Sequence, residues 1–498
     1  MDNPAEDKDN PAHGHWTLTM KTKLLDASLS VLLLAVTSLS QAQTAEVYVS
    51  SRSGSRLTRK PDAPFRAPDP KAVSFRIDAA AKQQRIAGFG ASFLEAGMVC
   101  LNSLAPAAQE EVLQTLFDPD NGAGFSAMKT VIAGTDFMSA GPWYSYDDVP
   151  GDVEMKHFSI QRDLGTNGLI SFIRRAQKHG RFVLQAPMDY PPDWMLRDAW
   201  KDQQVEPKYY DALARYYLSY LRSYETNGIF IDYLSLFNEP GIYTSISYEN
   251  IRDLLKNHVG PLLAREGVKT KIQFAEAPNR QVAFKEYPAI LDDPEARKYV
   301  GAIAFHGYSF TDYDKIATLR RQHPALELWQ TEVCYSYWDG ITTRSMKLPK
   351  LDFADGDFWG NRIFDDLESG VSAWIYWNLI PDEKGGPWLV DEKHHNADKN
   401  QQHAVVVINR QRGEVTYTGL YYYLAHFSKF VRPGAVKLAV TGGQAGVRCA
   451  VFEGPGANRV AELLNSTAAS VPVQVLSERN ALFLELPPFS ISTAIWRQ

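Results

Sequence analysis

Residues 231–243 read IDYLSLFNEPGIY, and the way this stretch ends decides how the rest of the chain is read. An apolar run stops in Asn238-Glu239-Pro240, and the chain then turns through Gly241. Asn and Pro both favour turns, so a solvated turn is the plain interpretation. The tripeptide arises by chance in roughly one chain in twenty of this size. It therefore carries weight only with support from elsewhere.

Support comes from repetition. From about Arg85, short apolar runs alternate with longer amphipathic stretches. Eight runs can be counted: RIAGFGAS, FSAMKTVIAG, RFVLQAPMD, IDYLSLFNE, KIQFAEA, VGAIAFHGY, LELWQTEV and VSAWIYWNLI. Helical patterns lie between most of them, as at 208–226 and 248–266. Strands alternating with helices imply parallel βαβ units. Eight such units over some 300 residues predict an α/β fold of the (β/α)8 barrel type. A doubly wound open sheet fits less well, because no glycine-rich phosphate loop follows the first strand. After Gly419 the texture becomes short strands separated by Gly, Pro and Asn, the pattern of an antiparallel β-sandwich. A strand-like run near 72–77 is expected to join that sandwich, since a closed barrel has no edge for it. The boundaries read as 1–44 for a signal peptide and N-terminal extension and 45–84 for a linker with the joining strand. The barrel takes 85–418 and the sandwich 419–498.

The chain has 498 residues, 45% hydrophobic and 12% aromatic, with a formal charge of −6. That length accommodates one large domain and a smaller one. The acidic balance argues against nucleic acid or an anionic membrane as a partner. Three cysteines, Cys100, Cys334 and Cys449, make no disulfide framework. Lys21 and Lys23 precede an apolar run that ends near Ser40-Gln41-Ala42, the layout of a signal peptide starting near Met20. Export to the periplasm or the exterior is expected, with no integral membrane segment in the mature chain.

In a (β/α)8 barrel the C-terminal ends of the strands line the active site. The fourth run ends in Asn238-Glu239 and the seventh in Glu332. The second continues to Asp136, the sixth ends in His306-Gly307-Tyr308, and the eighth carries Trp374, Tyr376 and Trp377. Either glutamate alone reads as a solvated or ion-paired residue. Two carboxyls facing one cavity are what glycoside hydrolysis needs: one protonates the departing oxygen, the other attacks the anomeric carbon or activates water. Burial and mutual repulsion push the two pKa values apart.

Several motifs now align in order. IAGFGASFLEAG, FNEPG, WQTEVC, WIYWNLIPDEKGGPW and YYYLAHFSKFVRPGA together resemble the family-30 glycoside hydrolases, the glucosylceramidase family, from about Arg85 to the C-terminus. The resemblance implies a retaining mechanism, with Glu239 as acid/base and Glu332 as nucleophile. It implies that Asn238 holds the hydroxyl next to the anomeric carbon and that Tyr308 and His306 orient Glu332. Asp136 would bind a distal hydroxyl, Trp377 would form the floor under the sugar, and Trp194 would be a further wall. The expected substrate is a carbohydrate or glycolipid with a β-linked glucoside. β-1,6-Glucanase, β-xylosidase and xylanase activities stay open, as does a catalytically silent carbohydrate-binding protein.

Three positions depart from the family pattern. Lys129 stands where an Arg is usual, and Lys lacks the guanidinium fork. Ala186-Pro187-Met188 replaces Ser-Pro-Trp, followed by what looks like a one-residue insertion before Trp194; Tyr190 is a candidate replacement wall. The usual Asn after Gly385-Gly386-Pro387 is missing. No cofactor or metal is expected. Asp391, His394, His395 and His403 could be read as ligands, but DEKHHNADKNQQH is more simply a solvated loop. Cys334 is read as packing.

Overall fold

The computed structural model describes residues 43–199, 203–242, 244–335, 353–387, 402–477 and 480–497. Eight parallel strands form the barrel: Gly88–Ser92, Ala127–Lys129, Val183–Pro187, Tyr233–Ser235, Lys271–Gln273 with Glu276–Ala277, Ala302–His306, Glu327–Glu332 and Val371–Asn378. They pair in chain order, and the eighth pairs with the first. The fifth strand is split into two pieces, one bonded to the fourth strand and the other to the sixth, so the ring returns on itself. The eight sequence runs each supply one of these strands.

The strands are apolar along their length because both faces are covered. Gly88–Ser92 and Val371–Asn378 are buried at every position. The glycines of the first strand have a steric reason. A Cβ on Gly90 would stand 2.1 Å from the Ala127 carbonyl oxygen of the neighbouring strand, a distance no side chain tolerates. Helices wrap the outside on amphipathic stripes. Tyr210–Thr226 buries Tyr210, Leu213, Tyr217, Tyr220, Leu221 and Tyr224, an i, i+3, i+4, i+7 row facing the sheet.

The second unit is a sheet of nine strands closed into a ring, antiparallel except where Val73–Arg85 lies beside Val471–Leu476. Val73–Arg85 also pairs with Val436–Gly442, so the N-terminal strand joins the C-terminal sheet as expected. Two further strands, Thr44–Ser51 and Thr58–Arg66, belong to the same sheet. The sequence reading took this region as polar with a single strand. Their outward faces are largely solvated, while Ala45, Val47, Val49 and Ala63 turn inward to the sheet's core. Residues 419–430, which the reading gave to the sandwich, are helix (Gly419–Phe430), and the first C-terminal strand starts at Val436.

Candidate active site

The mouth of the barrel is built by strand ends whose backbone is fixed on both sides. The Asn238 amide donates to the Met188 carbonyl at 2.8 Å, and the Glu239 amide to the Glu276 carbonyl at 2.9 Å. Glu239 has φ +44°, a conformation side chains rarely adopt outside constrained sites. The turn that follows is closed by the Ile242 amide on the Glu239 carbonyl at 2.9 Å.

Glu239 and Glu332 converge. One oxygen of each and a His306 nitrogen lie within 4.8 Å of one another. Both glutamates are buried. Glu332 receives the Lys129 ammonium at 2.8 Å on Oε2 and the Tyr308 hydroxyl at 2.9 Å on Oε1. His306 was expected beside Glu332, but its Nδ1 is 2.7 Å from Glu239 Oε1 and 3.6 Å from Glu332 Oε1. Its stronger partner is therefore the other glutamate.

Behind the pair sits a residue the sequence reading did not select, Glu276. Its carboxylate takes the Lys129 ammonium at 3.0 Å, the Thr331 hydroxyl at 2.8 Å, His306 Nε2 at 3.1 Å and the Gln185 amide. Burial alone would raise its pKa, but Lys129 and His306 outweigh burial and hold it at about 2. Burial would likewise neutralise His306, yet Glu332 and Glu239 raise it to about 9. Lys129 is pushed down by burial and further up by Glu276 and Glu332, so its pKa lies above its ordinary value. At neutral pH Lys129, His306 and Glu276 therefore keep their charges in spite of burial.

Other expected residues fall around it. Lys129 Nζ also lies 3.4 Å from Asn238 Oδ1 and 5.0 Å from the centre of the Trp377 ring. Trp377 is buried and meets Phe137 edge-on. Asp136 is half-buried and close enough to raise the pKa of Asp189 and of Cys334. Trp194 donates its indole N–H to the Asp147 carbonyl at 2.9 Å and meets Tyr209 edge-on, contacts that do not reach the glutamate cluster. Tyr190 meets Trp143 edge-on, with ring centres 4.5 Å apart. Glu95, the acid of the opening motif, binds Arg162 and Ser139 instead of the mouth residues.

The Cys334 thiol is buried beside the Tyr308 hydroxyl at 3.4 Å, and burial raises its pKa well above normal, so it is no nucleophile. Asp391, His394 and His395 lie outside the described residues. His403 is buried, with Nε2 2.5 Å from Asp355 Oδ2. Glu239, His306 and Glu332 are spaced as metal ligands could be. A doubly protonated His306 offers no lone pair to an ion. Among the described residues no helix is long and apolar enough to cross a membrane.

A (β/α)8 barrel carrying two close carboxyls at its mouth has the architecture of a glycosidase. Residues 86–431 match the glycosyl hydrolase family 30 TIM-barrel domain, and the chain belongs to that family of O-glycosyl hydrolases. It is 28% identical over 478 residues to a protein named putative glucosylceramidase 3 of Caenorhabditis elegans, covering 91% of this chain and 88% of that one. It is 30% identical over 376 residues to an endo-1,6-beta-D-glucanase of Neurospora crassa, covering 72% and 73%. The solved structure of an endo-beta1,6-glucanase superposes with a TM-score of 0.79 at 23% identity, covering 91% of this chain and 99% of that one.

Proposed function

We propose that this chain is a retaining β-glycosidase that hydrolyses β-linked glucosides, with a glucosylceramidase-like substrate range. Glu332 attacks the anomeric carbon as the glycosidic C–O bond breaks, and Glu239 gives its proton to the departing oxygen. Water then surrenders a proton to Glu239 and displaces Glu332, returning the original anomer. The observation that carries this reading is the approach of the two carboxyls: one oxygen of Glu239 lies within 4.8 Å of one oxygen of Glu332. Inverting enzymes keep their carboxyls about 6.5–9.5 Å apart to admit a water.

The division of roles rests on the partners. Lys129 and Tyr308 both donate to Glu332, which suits a nucleophile that stays ionised. Asn238 would bind the hydroxyl beside the anomeric carbon, Asp136 a distal one, and Trp377 would underlie the ring. Export fits the apolar stretch after Met20, and N-terminal sequencing of secreted material checks it.

A second substrate reading, a β-1,6-glucanase, is favoured by the Neurospora relative. Turnover of aryl β-glucoside, glucosylceramide and β-1,6-glucan separates the two. Proton NMR of the first-formed sugar tests the mechanism itself. The β-anomer is expected at early times, and the α-anomer would refute retention.

A further inference from the structure

Asp189 follows the third barrel strand, Val183–Pro187, and precedes Trp194 by five residues. Its place at the mouth is fixed by Met188, which bridges to Ile132 and accepts the Asn238 amide. The side chain is 4% exposed, and its Oδ1 is fully enclosed without a hydrogen-bond partner. The charged groups that act on it are Lys129, Asp136, Glu332 and Glu276. Those neighbours do not satisfy it. Burial, with Asp136, Glu332 and Glu276 reinforcing it against Lys129, raises its pKa well above the ordinary range.

An enclosed carboxyl without a partner is costly in a folded protein. Glu276 shows that this site can satisfy a buried carboxylate fully when that is its only task. Asp189 differs because the groups around it leave its Oδ1 unbonded, at the barrel mouth where a glycosidase seats its sugar. Buried groups unbonded in the free protein are how a site comes to demand a matching hydroxyl from its ligand.

We propose that Asp189 hydrogen-bonds a ring hydroxyl of a neutral hexopyranose lying over Trp377, and so determines which sugar the site accepts. This rests on the glycosidase reading above. With Asp136 it presents two carboxyls to the sugar, a pairing suited to a hydroxyl-rich ring, because the un-ionised Asp189 can both donate to and accept from a hydroxyl.

The test pairs Asp189→Ala and Asp189→Asn with aryl β-glucosides lacking one hydroxyl at position 2, 3, 4 or 6. Wild-type kcat/KM should fall about tenfold to a hundredfold at the contacted position. Asp189→Ala should lose a similar factor on the full glucoside and show less than about a threefold further loss at that one position. Asp189→Asn, which keeps an acceptor and a donor, should retain part of the discrimination. Thermal stability of both variants should equal or exceed wild type, because an unsatisfied buried acid is removed. Full multiplication of the two losses at all four positions would overturn the assignment, and so would unfolding of both variants, which would mark Asp189 as structural. A wild type that hydrolyses no aryl β-glycoside would instead remove the glycosidase reading and this inference with it. Activity on the glucoside without coupling removes only the role of Asp189.

Discussion

Two buried His–Glu sites in this molecule carry opposite charge states. At the barrel mouth, His306 and Glu276 lie 3.1 Å apart, with Lys129 on one side and Glu239 and Glu332 on the other. Where the helix Gly419–Phe430 meets the nine-stranded sheet, His426 and Glu462 lie 3.9 Å apart, and the hydrogen bonds they make are to hydroxyls. Thr493 is 2.6 Å from His426 and donates to Glu462 at 2.7 Å, while Ser50 is 2.9 Å from the other ring nitrogen. At the mouth, opposite charges outweigh burial, so His306 sits at about 9 and Glu276 at about 2. At the second site burial wins: His426 falls to about 3 and Glu462 rises well above its usual range. The same residue types serve as a charged machine in one place and as a neutral packing pair in the other. What decides is whether the fold supplies counter-charges.

The largest effect that tests this contrast is Glu276→Gln. It removes a counter-charge from two buried cations and should cost about 3–5 kcal/mol. For a chain of this size Tm should drop by roughly 3–5 °C. The kcat/KM for aryl glucosides should fall in parallel, because His306 and Lys129 lose the group that holds them. Calorimetry that finds the variant within about 1 kcal/mol of wild type would break the contrast.

The pH dependence of stability sharpens it, with opposite signs at the two histidines. The folded pKa of His306 exceeds the unfolded value of about 6.5. Its contribution is therefore full below 6.5 and is lost as pH rises through about 9. The folded pKa of His426 lies below the unfolded value, so its contribution is present above 6.5 and is lost as pH falls toward about 3. Urea midpoints from pH 4 to 9 should show His306→Asn flattening the alkaline limb and His426→Gln flattening the acid limb. An interchange of those two outcomes would invalidate the charge assignment.

The smallest effect belongs to Glu462→Gln. Its carboxyl is already uncharged in the fold, so the neutral isostere should change stability by less than about 1 kcal/mol at neutral pH. A loss comparable to that of Glu276→Gln, measured in the same urea titration, would show that the two sites are alike after all.

The sequence was informative wherever a residue ended an apolar run. That rule found Glu239, Glu332, His306 and Tyr308, because barrel topology makes strand ends converge whatever lies between them. Applied to KIQFAEA it would also have found Glu276, which ends the fifth strand. No short motif surrounds Glu276 to single it out. The same rule reaches Asp189, which ends RFVLQAPMD just past the third strand; what the sequence does not carry is that its Oδ1 is enclosed and unbonded. The partner of His306 was likewise invisible, since Glu239 and Glu332 both lie within reach of one ring and only geometry chooses between them. The strands Thr44–Ser51 and Thr58–Arg66 were obscured by solvated outer faces, although Ala45, Val47 and Val49 alternate as an inner face should.

The roles of the two glutamates can be separated by product stereochemistry. Glu239→Ala should still cleave dinitrophenyl β-glucoside to the covalent stage, because that leaving group needs no proton. Azide, a nucleophile needing no base, should then rescue turnover and yield the β-glucosyl azide. Glu332→Gly leaves space on the opposite face, so azide should displace the leaving group directly and yield the α-glucosyl azide. Opposite anomers from the two variants are the result this account predicts. The same anomer from both, or rescue of neither, would contradict it.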